Sequence, residues 1–140
     1  MGLTSMEDFL DSIDAIAWYT FAHAIVPGQV ETYTTILDFK DLALYEWPVA
    51  QLLYMVKRMK ASYKLRGNKI FAVNVHWLIS AASQVIFTFL PAHISEKIFI
   101  VKTNGSKDLL KFIDADHLEQ KYGGTLPNKE TDFFPPRYNP

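Results

Sequence analysis

The chain contains no cysteine among its 140 residues. That absence excludes a disulfide framework, a thiolate nucleophile and any zinc or iron–sulfur site held by cysteine. An excess of one charge is missing as well: 14 Lys+Arg stand against 15 Asp+Glu, for a formal net charge of −1. A nucleic-acid domain would carry a strong positive surplus, so no nucleic-acid partner is expected. Long hydrophobic runs are also lacking. The uncharged stretch 71–93 is interrupted by His76, Ser80, Ser83, Gln84, Thr88 and Pro91. Its helical part is shorter than the roughly 17–25 residues that span hydrocarbon. Residues 1–10 carry Glu7 and Asp8, where a secretory leader would place Lys or Arg ahead of an apolar run. The expectation is a soluble, intracellular chain, with a helix that lies in or against lipid left open.

The signatures of common enzymes are absent too. The sequence has no Walker-type phosphate loop and no G-x-G-x-x-G after a strand. It has neither a G-x-S-x-G elbow nor an H-E-x-x-H helix. His23, His76, His93 and His117 are scattered, with no i, i+4 pair. Asp114 and Asp116 beside His117 lack the turn glycine and the later bidentate Glu of a calcium loop. That group reads as a solvated turn, so no metal site is expected. Glu7 and Asp8 read as first-turn capping and solvation. The chain is expected to be no enzyme and to use no cofactor.

What is present is apolar and aromatic: 49% hydrophobic residues, 14% aromatic and 21% charged. This composition argues against disorder, and the length suits one domain. Thr4 and Glu7 have capping-box spacing, and apolar residues recur near the 3.6 period from Phe9 to Ile25, ahead of Pro27-Gly28. Residues 31–39 (ETYTTILDF) read as a strand, and a second helix is expected from Pro48, with Lys57, Arg58 and Lys60 at its end. A strand at 69–74 (KIFAVN), a third helix at 77–90, a strand at 97–102 (KIFIVK) and a helix from Ser106 follow. The alternation predicts an α/β layered domain with a largely parallel sheet over residues 1–126. Residues 127–140, with Pro127, Pro135, Pro136 and Pro140, are expected to form an extended tail.

The third helix, WLISAASQVIFTFL, is uncharged, with Ser80, Ser83, Gln84 and Thr88 toward one side. Such a helix is ordinarily core. The segments around it, however, resemble the CRAL-TRIO lipid-binding domain, in particular its phosphatidylinositol/phosphatidylcholine transfer branch. The matching pieces are VETYTTILDFKDL, then KIFAVNVHW, LISAASQVIFTFLP, EKIFIVKTNGSKDLLKFID and LEQKYGG. Their order and spacing carry the resemblance across about residues 30–124.

The resemblance implies a sheet that floors an apolar pocket, a gating helix over it, and a phospholipid bound between them. It implies transfer or presentation of that lipid between membranes. Thr35 matches a hydroxyl near the choline-lipid phosphate, and Tyr33 stands in place of a neighbouring Ser. Lys97 matches a lysine that serves as an inositol-phosphate ligand; the Glu that partners it in the family is replaced by Leu65. Leu37, Ile70, Ile79, Ile86 and Phe89 match pocket-facing positions. Val75-His76 replaces Ala-Pro before the gating helix, and Asp41 replaces a Gly. The family's N-terminal lead-in is not in the sequence, which predicts an uncovered sheet edge and self-association as a homodimer. The competing reading is a lipid-free protein-interaction module of a divergent CRAL-TRIO type, and a weaker one is an enzyme whose site carries no known signature.

Overall fold

Three runs rich in β-branched and aromatic residues build the sheet: β1 (Tyr33–Asp38), β2 (Gly67–Val73) and β3 (Ile98–Val101). All pair in parallel in the order β1-β2-β3. The structure is a computed structural model describing residues 6–40, 50, 54, 57, 58, 67–88, 90–101 and 106–131. At residues 6, 78, 79, 82, 84, 86 and 106 it describes the backbone alone. The helices are α1 (Met6–His23), α2 (Trp77–Thr88), α3 (Ala92–Ser95) and α4 (Ser106–Leu109). Two 3-10 turns follow, Ala115–His117 and Gln120–Tyr122. Residues 50, 54, 57 and 58 are helical, within the expected second helix; its start at Pro48 lies outside the described residues.

The ladder fixes which side chains share a face, because alternate residues of a strand point to opposite sides. Ile36, Phe71 and Phe99 lie abreast, followed by Asp38, Val73 and Val101. This face is sealed by the C-terminal segment: Phe71, Val73, Val101, Leu109 and Leu118 are all buried, with Ile113 and Tyr122 packed on them. Phe71 is 1% exposed and its ring contacts those of Phe99 and Phe112 at 5.3 and 5.4 Å. Burying side chains of this size contributes about 2–3 kcal/mol each before ordering costs.

The C-terminal segment closes on glycine. Gly123 has φ +92, and a Cβ on Gly124 would run into the Leu118 carbonyl. Gly124 donates to the Glu119 carbonyl at 3.1 Å and Leu126 to that of Leu118 at 3.0 Å. The aromatic-Gly-Gly run thus folds the chain back under Leu118. The expected helix around Leu109, Leu110 and Ile113 is a single turn instead; Leu109 is buried, whereas Leu110 is exposed. Residues 128 and 129 are held against residues 119–121 by Asn128 Oδ1 and Glu119 Oε2. The remainder of the tail, from 132, lies outside the described residues.

On the other face, α1 runs antiparallel to β1. Phe9 meets Phe39 at 5.9 Å near one end, and Phe21 meets Tyr33 at 5.6 Å near the other. Twelve helical residues span about 18 Å and six strand residues about 20 Å, so the helix and strand keep step. Arg58 clamps α1 to the second helical segment. Its guanidinium reaches Glu7 at 3.2 Å, Asp11 at 2.7 Å and Asp14 at 2.6 Å. The bonds to Asp11 and Asp14 hold the guanidinium pKa above its ordinary value. Glu7 lies exposed in the first turn of α1, as the sequence suggests, and its carboxylate also pairs with Arg58. Three carboxylates at i, i+4 and i+7 of α1 thus engage Arg58.

Candidate functional site

The second face of the sheet is composed differently from the first. Thr35 pairs with Ile70 and Leu37 with Ala72, while Ile98 and Ile100 lie beside the same two residues of β2. Ala72 is buried; Thr35, Leu37, Ile70, Ile98 and Ile100 are all half-buried. Two adjacent strands therefore bring together three of the residues expected at the site, with Tyr33 at the same side of β1 against Phe21 of α1. Tyr33 is half-buried, and that burial raises its hydroxyl pKa above the ordinary 10.0. Ile98 and Ile100 were missed by the sequence reading. Strict alternation along KIFIVK is the signal that finds them, once the register with β2 is known.

The polar candidates lie toward the amino end of the strands. Tyr33 pairs with Gly67 across a bulge, because Thr34 pairs with Lys69 and Asn68 is left over. Lys97 stands in the turn before β3, and its Nζ donates to the Gly67 carbonyl at 2.9 Å. Its own carbonyl accepts from the Ile70 N–H at 2.8 Å. Lys97 thus occupies the rim of the sheet rather than the half-covered face. An ammonium has three donors, so the Gly67 bond orients it without exhausting its capacity.

α2 leaves the carboxyl end of β2 through Asn74, Val75 and His76. Of its 12 residues none is charged. Trp77, Ala81, Val85 and Thr88 share one exposed side, with Trp77 71% and Val85 60% exposed. Ser83 is buried, its hydroxyl donating to the Ser80 carbonyl at 2.6 Å. The polar residues therefore do not face solvent as one block: Ser83 turns in and satisfies itself on its own helix, while Thr88 faces out. The side chains of Ile79 and Ile86, and all of Phe89 and Leu65, lie outside the described residues.

A titratable group stands at the carboxyl end of the sheet. Asp38, the last residue of β1, accepts from Asn74 Nδ2 at 2.7 Å, the Lys40 N–H at 2.9 Å and the Tyr122 hydroxyl at 2.8 Å. Burial pushes its pKa up, but the three donors and nearby Lys121 outweigh this and hold it below 3.8. Tyr122 moves the opposite way, raised by burial and by the bond to Asp38. Elsewhere, ligand atoms of Asp114, Asp116 and His117 lie within 4.8 Å of one another on an exposed turn. Exposed acidic groups cluster in this way without a metal, and nothing else at that turn points to one.

The family model for the CRAL/TRIO domain matches residues 5–124. The chain belongs to the CRAL/TRIO domain family. It is 35% identical over 107 residues to the SEC14 cytosolic factor of Kluyveromyces lactis, covering 74% of this chain and 35% of that protein. The SEC14 cytosolic factor of Eremothecium gossypii is also 35% identical over 107 residues, covering 74% of this chain and 34% of the relative. The Sec14 cytosolic factor of Schizosaccharomyces pombe is 32% identical over 102 residues, 69% and 35% of the two chains. These matched regions span about a third of the length of the relatives. The parallel sheet with flanking helices agrees with the α/β fold expected of a CRAL/TRIO domain. Among the described residues, no helix is long and apolar enough to cross a membrane.

Proposed function

We propose that this CRAL/TRIO chain binds one phospholipid with its acyl chains on the half-covered face of the sheet, and transfers or presents it at membrane surfaces. The observation that carries the reading is the difference between the two faces of one sheet. On one face Phe71, Val73 and Val101 are sealed at 5% exposure or less, with Ile36 and Phe99 half-buried beside them; on the reverse Ala72 and Phe39 are buried, and Thr35, Leu37, Ile70, Ile98 and Ile100 are all half-buried. Covering an apolar face with hydrocarbon removes both surfaces from water, contributing about 0.8 kcal/mol per acyl CH₂ before ordering costs. Affinity can therefore reside in the chains, with headgroup contacts selecting among lipids.

Tyr33, Thr35 and Lys97 form the headgroup end in this reading, and Leu37, Ile70, Ile79, Ile86 and Phe89 serve the acyl chains. Tyr33 and Thr35 offer hydroxyls to a phosphate, and Lys97 a cation. A phosphatidylcholine suits the hydroxyl pair, and a phosphatidylinositol suits Lys97. α2 acts as the lid, its outward apolar side set to meet the bilayer as it opens. The protein would then be cytoplasmic and peripherally membrane-associated, with no catalytic step and no cofactor.

The test is transfer of a labelled phospholipid from donor to acceptor vesicles. Ile70→Asp places a charge on the half-covered face and is expected to abolish transfer while the protein stays folded. Thr34→Asp, on the opposite side of β1 and exposed, is expected to leave transfer unchanged. Equal transfer by wild type and Ile70→Asp overturns the proposal.

A further inference from the structure

The half-covered face and the lid leave one polar cluster without a role: the Asp38–Asn74–Tyr122 network at the carboxyl end of the sheet. Its placement is specific. The ladder between β1 and β2 extends one step past Asp38, where the Phe39 N–H donates to the Val73 carbonyl at 3.0 Å. Asn74 is the next residue, and it turns the chain with φ +56, a conformation that Asn tolerates better than most residues. α2 begins three residues later, its first turn marked by the Ser80 N–H donating to the His76 carbonyl at 3.0 Å. The path from sheet to helix is therefore Asn74, Val75 and His76. None of them is proline, so no ring fixes φ across this connection.

We propose that Asp38 is the positioning residue for the pivot of α2. By holding the Asn74 side chain at 2.7 Å, it fixes the left-handed turn and with it the direction in which the helix leaves the sheet. The Tyr122 hydroxyl and the Lys40 N–H hold the carboxylate in place. The C-terminal segment, 84 residues further along the chain, thus bears on the pivot through one hydrogen bond. The inference rests on the reading of α2 as a lid and adds the element that sets how readily it opens. Releasing Asn74 leaves the half-covered face unchanged but shifts α2 toward open conformations. Lipid exchange then becomes faster, with little effect on how much lipid is held at equilibrium.

The experiment compares Asn74→Gly, Asp38→Ala and the exchanged pair Asp38→Asn/Asn74→Asp by amide hydrogen exchange of the lipid-free protein. Asn74→Gly keeps the positive φ accessible and removes only the side-chain tie. Both single variants should raise exchange in α2 by about three- to tenfold, the range for one net hydrogen bond. Exchange at Phe71 and Val101 should be unchanged. The exchanged pair restores an amide–carboxylate bond between the two positions, and it should bring α2 back toward the wild-type rate. A second readout, lipid exchange from preloaded protein to phosphatidylcholine vesicles, should accelerate in the single variants at unchanged equilibrium loading. Unchanged exchange in α2 overturns the proposal, and so does a uniform rise through β2 and β3, which marks a merely structural role. If the wild type takes up no lipid, the function proposed above fails while the hydrogen-exchange comparison still decides the pivot.

Discussion

Ile70 and Phe71 are neighbours in β2 that point to opposite faces, and truncating each in turn measures the difference between those faces. Phe71 is 1% exposed within a cluster of three aromatic rings. Phe71→Ala removes the ring and leaves a closed cavity, at a cost of about 3–5 kcal/mol. Ile70 is half-buried. Its truncation loses about two-thirds of the transfer free energy of the deleted carbons and opens onto solvent instead of creating a void. That leaves about 1.5 kcal/mol. With a urea m value of about 2 kcal/mol/M, the midpoints should fall by about 2 M for Phe71→Ala and about 0.8 M for Ile70→Ala. In lipid-loaded protein the acyl chains cover the rest of Ile70. The same variant should then lose about a further 0.5 kcal/mol, or about twofold in lipid affinity. If Ile70→Ala costs as much as Phe71→Ala in lipid-free protein, that face is ordinary packed core and the pocket reading is refuted.

Three further outcomes are expected. Gly124→Ala drives a methyl into the Leu118 carbonyl and should destabilise the domain by about 1–3 kcal/mol in denaturant unfolding; an unchanged midpoint would contradict the closing turn. The Asp38–Tyr122 pair should give stability a plateau in pH. The Asp38 pKa is depressed in the fold, so its contribution is present above 3.8 and is lost as pH falls through the folded value. The Tyr122 pKa is raised, so its contribution is complete below 10.0 and is lost as pH climbs toward the folded value. Tyr122→Phe should abolish that part of the alkaline loss and move the Asp38 pKa upward, read by unfolding across pH and by carboxylate titration in NMR. Finally, β1 and β3 are the outer strands of the described sheet, and pairing of one edge with a second copy should give a dimer mass in light scattering at high concentration; a monomer throughout rules it out.

The strands and long helices were legible because their periodicities are strong. ETYTTILDF, KIFAVN and KIFIVK match β1, β2 and β3 within two residues, and WLISAASQVIFTFL matches α2 with an end two residues beyond Thr88. Thr35, Leu37 and Ile70 were named from the resemblance, and the register places them on one face. What stayed hidden depends on contacts distant in sequence. Arg58 meets carboxylates 44 to 51 residues away, and nothing local distinguishes it from a lysine or arginine serving a helix end. Tyr122 reaches Asp38 across 84 residues, so the network at the pivot appears only once the C-terminal segment is folded. Leu109, Leu110 and Ile113 have helical spacing, yet the chain leaves the helix after one turn, because burying Leu109 and Leu118 under the sheet outweighs local propensity.

The most direct test of the account is native mass spectrometry of the purified chain after incubation with mixed phospholipid vesicles and separation from them. A mass increment of one phospholipid per chain is expected, with the headgroup identified from fragments, and loss of that increment in Ile70→Asp. Protein that stays lipid-free while a known lipid-transfer control loads would contradict it, and would favour a protein-interaction module on the same CRAL/TRIO fold.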